Sequence, residues 1–458
     1  MIKKSFVFLA VGIALVFTSC EENEATPIGN YLRETPSIIL TPEEYASVAY
    51  SGNNELSETE VTDIAQQFIR RISRNTKSAD GISVMVGEKV EVTDLQTKAE
   101  TGRPVYAYYV NIQNGDNQGT ALVSADKRVP EVLAYTPQTR PVDYPFCLGT
   151  EIMTEVAKQA MLHQIERCEH LRDSLETATL EKVARQYGKE SVTFEDFEHD
   201  IYIDNYGYAD EEAGPVEPVG EVTHTVRPFT ARTAWDQVYP YNALLDESDA
   251  EGLQGIYRGH FGVGCATVAA AQVMAVYQPQ VNADGVNIDW EYLLEDEQIF
   301  EDETEKVHQV ASLIRYISLE TNTRFTDTGS WTTMPEMRDF LKRYSIEMDN
   351  ARAGLMVARL KASLDDNRMV WVTGTTSGNS RGKRGYHAWI IDGYQTTRKN
   401  TKELLKSYNM YVHANMGWGG FDTGYYLVGD DQSLVFNTQE AGAYNTDVEM
   451  YCNIRYTR

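Results

Sequence analysis

The stretch GVGCATVAAAQVM, residues 262–274, sets one cysteine between a Gly-x-Gly turn and a run of alanines. Gly262 and Gly264 permit a close backbone approach, and the residues that follow favour a helix packed closely on all sides. Cys265 is then the first residue of that helix, where the helix dipole and free backbone N–H groups stabilise a thiolate. Taken alone, the stretch favours a buried core thiol. A disulfide partner, a metal ligand and a nucleophile remain open.

A nucleophilic thiolate requires a general base, and two later segments offer histidines. RGYHAWIIDGY, residues 384–394, predicts a strand of alternating apolar residues that begins near His387. YVHANMGWGGFDTGYY, residues 411–426, predicts a second strand with His413 and Asn415 on one face. If the two strands are neighbours, they bring Asn415 close to His387. We interpret His413 as a hydrogen-bonded core histidine.

Composition and charge exclude several classes of function. The chain has 458 residues, of which 42% are hydrophobic, enough for two or three ordinary domains. Its 41 Lys and Arg against 68 Asp and Glu give a net charge of −27, which repels nucleic acid. No CxxC or HExxH motif occurs, so a structural zinc site or a zinc peptidase has little support. We expect no nucleic-acid partner and no metal.

The amino terminus resembles a bacterial lipoprotein signal. MIKKSFVFLAVGIALVFTSC, residues 1–20, runs from two lysines through an apolar stretch to small residues and Cys20. Such a signal is cut before the cysteine, whose thiol is then lipidated. An uncleaved anchor helix is the alternative, but the apolar run is shorter than the ~20 residues that a bilayer span needs. The following EEN resembles acidic signals that send lipoproteins to the outer surface, so we expect an exported outer-membrane lipoprotein.

The remaining cysteines are Cys147, Cys168, Cys265 and Cys452, and their spacings show no disulfide framework. Cys168 shares a helical face with apolar residues, which predicts a buried thiol.

Patterning along the chain predicts two folded domains. Thr41, Pro42 and Glu44 give the cap, first-turn proline and capping-box carboxylate of a helix start, and a second amphipathic helix follows. From Val105 onward, short alternating segments predict an antiparallel meander, closed by a helix over about 151–187. The predicted segments are a signal peptide (1–19), a tether (20–40), an α+β domain (41–204), an exposed cleavable linker (205–226) and a second domain (227–458).

The order of the motifs closely resembles the streptopain family of papain-like cysteine peptidases. The motifs are WDQ…YN from TAWDQVYPYN (233–242), GCATVAAAQVM, HAWIIDGY and NMGWGG. Upstream, YVNIQNGDNQGTALVSADKRVPEVLAY (109–135) resembles that family's inhibitory propeptide. The likeness covers most of residues 40–458. It implies an α+β fold, in which a smaller α+β inhibitory propeptide precedes a two-lobed papain-like domain with a helical lobe and an antiparallel β lobe.

Carried over residue by residue, the resemblance implies a nucleophile, a general base, a second oxyanion donor, an asparagine near the imidazole and two substrate-contacting positions. These are Cys265, His387, Gln237, Asn415, and Trp418 with Gly264, respectively. Met416 replaces the first tryptophan of the family's NWGWGG segment, which removes an aromatic wall beside the histidine.

The implied protein is a cysteine endopeptidase made as a zymogen, with no metal or organic cofactor. Its expected partners are protein or peptide substrates, its own propeptide as intramolecular inhibitor, and a membrane reached through lipid on Cys20. Two alternatives remain. The same scaffold could bind a partner without catalysis, or the Cys-His pair could transfer acyl groups, as in transglutaminases and cell-wall amidases.

Overall fold

The structure is a computed structural model, and it describes the chain with gaps. The described residues are 38–73, 82–92, 104–115, 117–141, 144–145, 147–203, 222–226, 228, 230, 233–376, 385–398, 408–430, 435–436 and 446–457. The predicted signal peptide, Cys20 and most of the predicted linker lie outside these residues. Within them, no helix is both long and apolar enough to cross a bilayer.

The helices and strands alternate irregularly along the chain. The described α-helices are α1 (Pro42–Ala49), α2 (Glu58–Ser73), α3 (Leu148–Tyr187), α4 (Cys265–Tyr277), α5 (Trp290–Leu293), α6 (Thr304–Glu320), α7 (Met334–Arg343) and α8 (Val357–Asp365). The described strands are β1 (Ile38–Leu40), β2 (Ser83–Val92), β3 (Val105–Asn114), β4 (Asn117–Ser124), β5 (Val132–Thr136), β6 (Ile201–Ile203), β7 (Val222–Val226), β8 (Asn282–Ala283), β9 (Val286–Asn287), β10 (Arg324–Thr326), β11 (Gly329–Trp331), β12 (Ile346–Glu347), β13 (Arg352–Ala353), β14 (Leu355–Met356), β15 (Val370–Thr376), β16 (Gly385–Arg398), β17 (Tyr408–Asn415), β18 (Gly424–Asp430), β19 (Val435–Phe436), β20 (Thr446–Tyr451) and β21 (Arg455–Tyr456).

Local sequence signals explain the ends of the N-terminal helices. The Thr41 side chain accepts from the Glu44 amide and the Glu44 carboxylate accepts from the Thr41 amide, which completes the predicted capping box of α1. Helix α3 begins three residues before the predicted position, with Cys147 at its N-cap, and ends at Gly188 in the left-handed conformation. The Cys168 thiol is buried, as predicted.

The N-terminal region is a β2–β5 meander with α2 packed against it. The sequence predicts β3, β4 and β5 but not β2. The tether predicted for 20–40 overlaps β1, because Ile38 and Leu40 are buried and β1 pairs in parallel with β6.

The C-terminal region has two lobes, which confirms the α+β, papain-like fold. Its antiparallel sheet has the strand order β13-β20-β15-β16-β17-β18. Helix α4 lies between this sheet and the helical lobe, and it packs against α6, α7 and β16. The alanines of α4 are buried, since all of Cys265–Ala275 is buried, and this close packing fits the small side chains of the helix.

The two regions share one sheet. Strand β5 of the meander pairs antiparallel with β18 of the C-terminal sheet, Tyr425 opposite Tyr135 and Tyr426 opposite Ala134. Helix α3 packs across β18, β16 and β15, so apolar residues of both regions form one core. The end of the predicted linker, β7, pairs with β16.

Candidate active site

Cys265 begins α4, as the sequence predicts. Gly264 precedes it with φ of +90°, in the region that favours glycine, and a Cβ there would lie 2.8 Å from the Ser330 carbonyl oxygen. The amides of Thr267 and Val268 donate to the Gly264 carbonyl and close the first turn. The Cys265 amide is among the first N–H groups of the helix, which have no acceptor carbonyl within the helix. The backbone therefore holds the thiol at a positive helix end.

His387 lies in β16, opposite Gly374 of β15, and its side chain is 3% exposed. The next residue, Ala388, donates its amide to the Cys265 sulfur at 3.3 Å. This hydrogen bond joins the start of α4 to the strand that carries the histidine. The thiol and the imidazole therefore come from adjacent stretches of two packed elements.

Two tryptophans flank the imidazole. The His387 ring stacks on Trp389 at 6.0 Å and 17°, and on Trp418 at 6.4 Å and 6°. Nε2 of His387 lies 3.0 Å from the Met416 carbonyl oxygen. A carbonyl oxygen only accepts, so we infer that Nε2 carries the hydrogen and that Nδ1 is the basic nitrogen of the neutral ring. Met416 thus contributes its backbone to histidine orientation where the family has tryptophan.

Gln237 lies beside the same turn. Its carbonyl accepts from the amide of Val263, two residues before the cysteine, at 3.0 Å. Its side-chain Nε2 donates to the Gly417 carbonyl at 3.4 Å, which uses one of its two hydrogens. The structure therefore brings Gln237, Cys265 and the 416–418 turn together.

Asn415 is buried, and its hydrogen bonds join the sheet to α4 and to the start of the second domain. Its Nδ2 donates to Thr230 Oγ1 and to the Thr233 carbonyl, each at 3.0 Å. Its Oδ1 accepts from Gln272 Nε2 and from the Gly417 amide, each at 3.1 Å. None of these bonds reaches the imidazole, so the role of the asparagine beside His387 stays a prediction.

Asp392, missed by sequence reasoning, lies fully buried at the centre of this network. Its Oδ2 accepts from both the amide and the hydroxyl of Thr230, and its Oδ1 pairs with His413 Nδ1 at 2.6 Å. His413 is therefore hydrogen-bonded, as predicted, but it is only partly buried. The network fixes the segment that begins at Thr230 against the sheet.

The N-terminal region touches the imidazole directly. Cys147 Sγ lies 3.7 Å from His387 Nε2. Burial raises the pKa of the Cys147 thiol to about 12, so this sulfur stays a neutral thiol. Gly149, in the first turn of α3, lies so close that a Cβ would be 2.6 Å from His387 Cδ2 and 2.8 Å from Met416 Sδ. These contacts cover the histidine.

A second contact lies beside Gln237. The Tyr144 hydroxyl donates to Oδ2 of Asp236, while the Gln237 amide donates to Oδ1 at 2.6 Å. Burial raises the pKa of the Asp236 carboxyl to about 6, although its hydrogen bonds act in the opposite direction. Asp236 belongs to the quoted WDQ motif, so adjacency to Gln237 was the signal available in the sequence. Tyr144 and Cys147 carried no such signal.

The described residues contain no group of three or more His, Cys, Asp or Glu side chains suited to a metal. No disulfide joins any of the four described cysteines to another.

Comparisons with known proteins assign both regions. Residues 235–426 match the Peptidase C10 family, and residues 53–142 match the Spi protease inhibitor family. No curated protein matches the chain significantly. Among solved structures, the active wild-type interpain A cysteine protease of Prevotella intermedia is 19% identical. The alignment covers 50% of this chain and 95% of that one, with a TM-score of 0.32.

The two family matches define a cysteine-type endopeptidase that carries its own inhibitor domain in front. Residues 235–426 are a peptidase domain of the C10, or streptopain, family and residues 53–142 a Spi-type inhibitor domain, which confirms the resemblance stated from the sequence.

Proposed function

We propose that the chain is the zymogen of an exported, lipid-anchored endopeptidase that hydrolyses peptide bonds with Cys265 as nucleophile and His387 as general base. The observation that carries the proposal is the hydrogen bond from the Ala388 amide to the Cys265 sulfur, at the start of a helix and next to the histidine. The helix dipole and this amide both place positive electrostatic potential at the sulfur, where the nucleophile carries its negative charge.

The reaction begins when the Cys265 thiolate attacks the carbonyl carbon of the scissile bond, while imidazolium His387 keeps the proton taken from the thiol. The developing oxyanion accepts from the Cys265 amide and from the second hydrogen of Gln237 Nε2. His387 then gives its proton to the leaving amine, and the C–N bond breaks. Water, deprotonated by His387, attacks the thioester and releases the acid and the free thiol.

The inhibitor domain blocks this sequence at the histidine. Cys147 and Gly149 cover the imidazole and Tyr144 covers Asp236, so a peptide cannot approach either group. Because Cys147 stays a neutral thiol, it does not supply a second thiolate beside His387. Activation therefore requires that the segment from Tyr144 to the start of α3 leaves His387 and Asp236, after cleavage between the two domains.

The test uses the purified full chain with a trace of matured enzyme, and it follows intact mass and the cleavage of denatured casein. The wild type should lose its N-terminal domain and then cleave casein, whereas Cys265→Ala should be trimmed by the added enzyme and remain inactive. Cys168→Ala is the matched control. It also removes a buried thiol, but one that lies in α3 rather than α4, and it should behave as wild type. A trimmed Cys265→Ala sample that cleaves casein faster than the added trace of matured enzyme alone would contradict the proposal.

The other proposed functions give different products. An acyl transferase would attach an added primary amine to the acyl fragment, and a binding protein would leave casein intact.

The anchor is tested separately, because it rests on the sequence of residues 1–20 alone. In bacteria that express the full chain, the Cys20→Ala protein should no longer carry a labelled fatty acid. It should also be lost from the outer-membrane fraction. Retention of the label would contradict attachment at Cys20.

A further inference from the structure

A built pocket surrounds Tyr144 of the inhibitor domain. The Tyr144 ring meets Phe421 edge-on at 4.9 Å and Trp418 edge-on at 6.4 Å. Its hydroxyl donates to Asp236, whose residue is 6% exposed and whose other oxygen is held by the Gln237 amide. The pocket therefore combines an aromatic wall with one buried carboxylate acceptor at its floor, an arrangement suited to a phenol.

All the groups that hold the ring and the hydroxyl belong to the peptidase domain, so the pocket remains when the inhibitor leaves. It opens into a cavity of about 490 Å³ that Tyr144 itself borders. The other lining residues come from the peptidase domain and include Val238, Pro240, Ile256 and Ile299. Removal of the inhibitor would thus leave a side-chain site with free volume behind it.

The position of the pocket relates it to the reaction. Trp418 contacts both Tyr144 and the imidazole, since its ring meets Tyr144 edge-on and stacks on His387, each at 6.4 Å. His387 delivers the proton to the leaving amine, so the groups beyond it flank the residues that follow the scissile bond. Cys147, which touches the imidazole, follows Tyr144 by three positions, a span of at most ~11 Å. The site is thus within reach of the first or second residue after the scissile bond.

We propose that this pocket is a specificity site of the matured enzyme that takes a tyrosine side chain of the substrate on the leaving-group side, with Asp236 accepting its hydroxyl. Tyr144 occupies the site in the zymogen as a substrate-like side chain. The inference rests on the proposed peptidase activity.

The selectivity follows from the lone acceptor at the floor of the pocket. A phenylalanine side chain contacts the aromatic wall equally well, but it leaves the buried carboxylate without a hydrogen-bond donor. Hydrogen bonds to charged groups are stronger than those between neutral groups, so this loss is large. We expect kcat/KM for tyrosine to exceed that for phenylalanine by about tenfold or more. Leucine should fall below both, because it lacks the edge-on ring contacts.

The experiment uses enzyme matured from the full chain, with its activity first checked on denatured casein. Mass spectrometry identifies one casein bond that is cut, and quenched fluorescent peptides keep its N-terminal half. The first and second residues after the bond are then varied in turn among Tyr, Phe and Leu. Each enzyme is scored by its own ratio of kcat/KM values, so a general loss of activity does not affect the result.

Two variants separate the parts of the pocket. Asp236→Asn should lower the Tyr:Phe ratio severalfold, because a neutral partner replaces the carboxylate. Phe421→Leu should lower the preference of aromatic over leucine peptides and leave the Tyr:Phe ratio unchanged. A wild-type Tyr:Phe ratio below about two at both positions would overturn the inference, even if neither variant folds. An enzyme that cuts no casein would instead overturn the proposed function, and this inference with it.

Discussion

Gly149→Ala should release the inhibitor without altering any residue of the peptidase domain. The added methyl would lie 2.6 Å from His387 Cδ2 and 2.8 Å from Met416 Sδ, where carbon contacts normally lie at ~3.5–4.0 Å. Either α3 or the histidine must therefore move by close to 1 Å. Overpacking of this kind costs ~1–3 kcal/mol. Alanine also favours the helix over glycine, but that gain applies to docked and released α3 alike.

The free-energy penalty on docking of α3 should increase the rate of maturation, because cleavage acts on the fraction of zymogen in which α3 is released. At ~1.4 kcal/mol per tenfold, the open fraction of the zymogen should rise roughly 5-fold to 150-fold. The assay adds a trace of matured enzyme to the full-length variant and measures the half-time of conversion by intact mass. Gly52→Ala is the matched control, because a Cβ at Gly52 meets nothing within 4 Å. Conversion of Gly149→Ala at the rate of Gly52→Ala would refute the claim that this contact maintains latency.

Two further predictions concern the buried polar groups around the site. Because folding raises the pKa of Asp236 from 3.8 to about 6, the folded chain holds this proton more tightly, and the ionised carboxylate costs stability above pH 6. Asp236→Asn should therefore stabilise an uncleaved Cys265→Ala chain at pH 7.5. Its melting temperature should rise, and its free energy of unfolding should increase by up to about 3 kcal/mol. The gain should shrink towards pH 4, and a gain that is independent of pH would contradict the assignment. Thr230→Val removes a hydroxyl bonded to both Asp392 and Asn415, so denaturant unfolding should show a loss of ~1–3 kcal/mol. Thr230→Ser should restore that loss, and an equal loss in the serine variant would show that the methyl group, not the hydroxyl, matters.

The sequence predicts the parts of the site that depend on local pattern. The Gly-x-Gly turn and the alanines predict α4 with Cys265 at its start, and the alternating apolar residues predict the strand of His387. Both signals are local, because helix and strand periods and turn residues act within a few positions. Gln237 required the family motif, since its pairing with Val263 spans 26 residues and leaves no periodic trace.

Contacts between distant segments could not be predicted in this way. Tyr144 and Cys147 lie between β5 and α3, which both pack against the peptidase sheet at β18, and no local pattern specifies these contacts. The hydrogen bonds of Asn415 to Thr230 and Thr233 likewise join residues more than 180 positions apart, so no local pattern specifies them.

Strand β2 was missed for a different reason. Its register shifts between Val86 and Lys89, across Gly87 and Glu88, so its alternation breaks and the period-2 signal is lost.

The central claim is that Cys265 is the catalytic thiol and that the inhibitor domain keeps it out of use. The most direct measurement titrates enzyme matured from the full chain, and the uncleaved chain, with iodoacetamide, maps the modified cysteine by peptide mass and assays casein cleavage in the same samples. We predict that matured enzyme loses activity in proportion to alkylation of Cys265, and that this residue reacts far more slowly in the uncleaved chain. Full activity after complete alkylation of Cys265 would contradict the account.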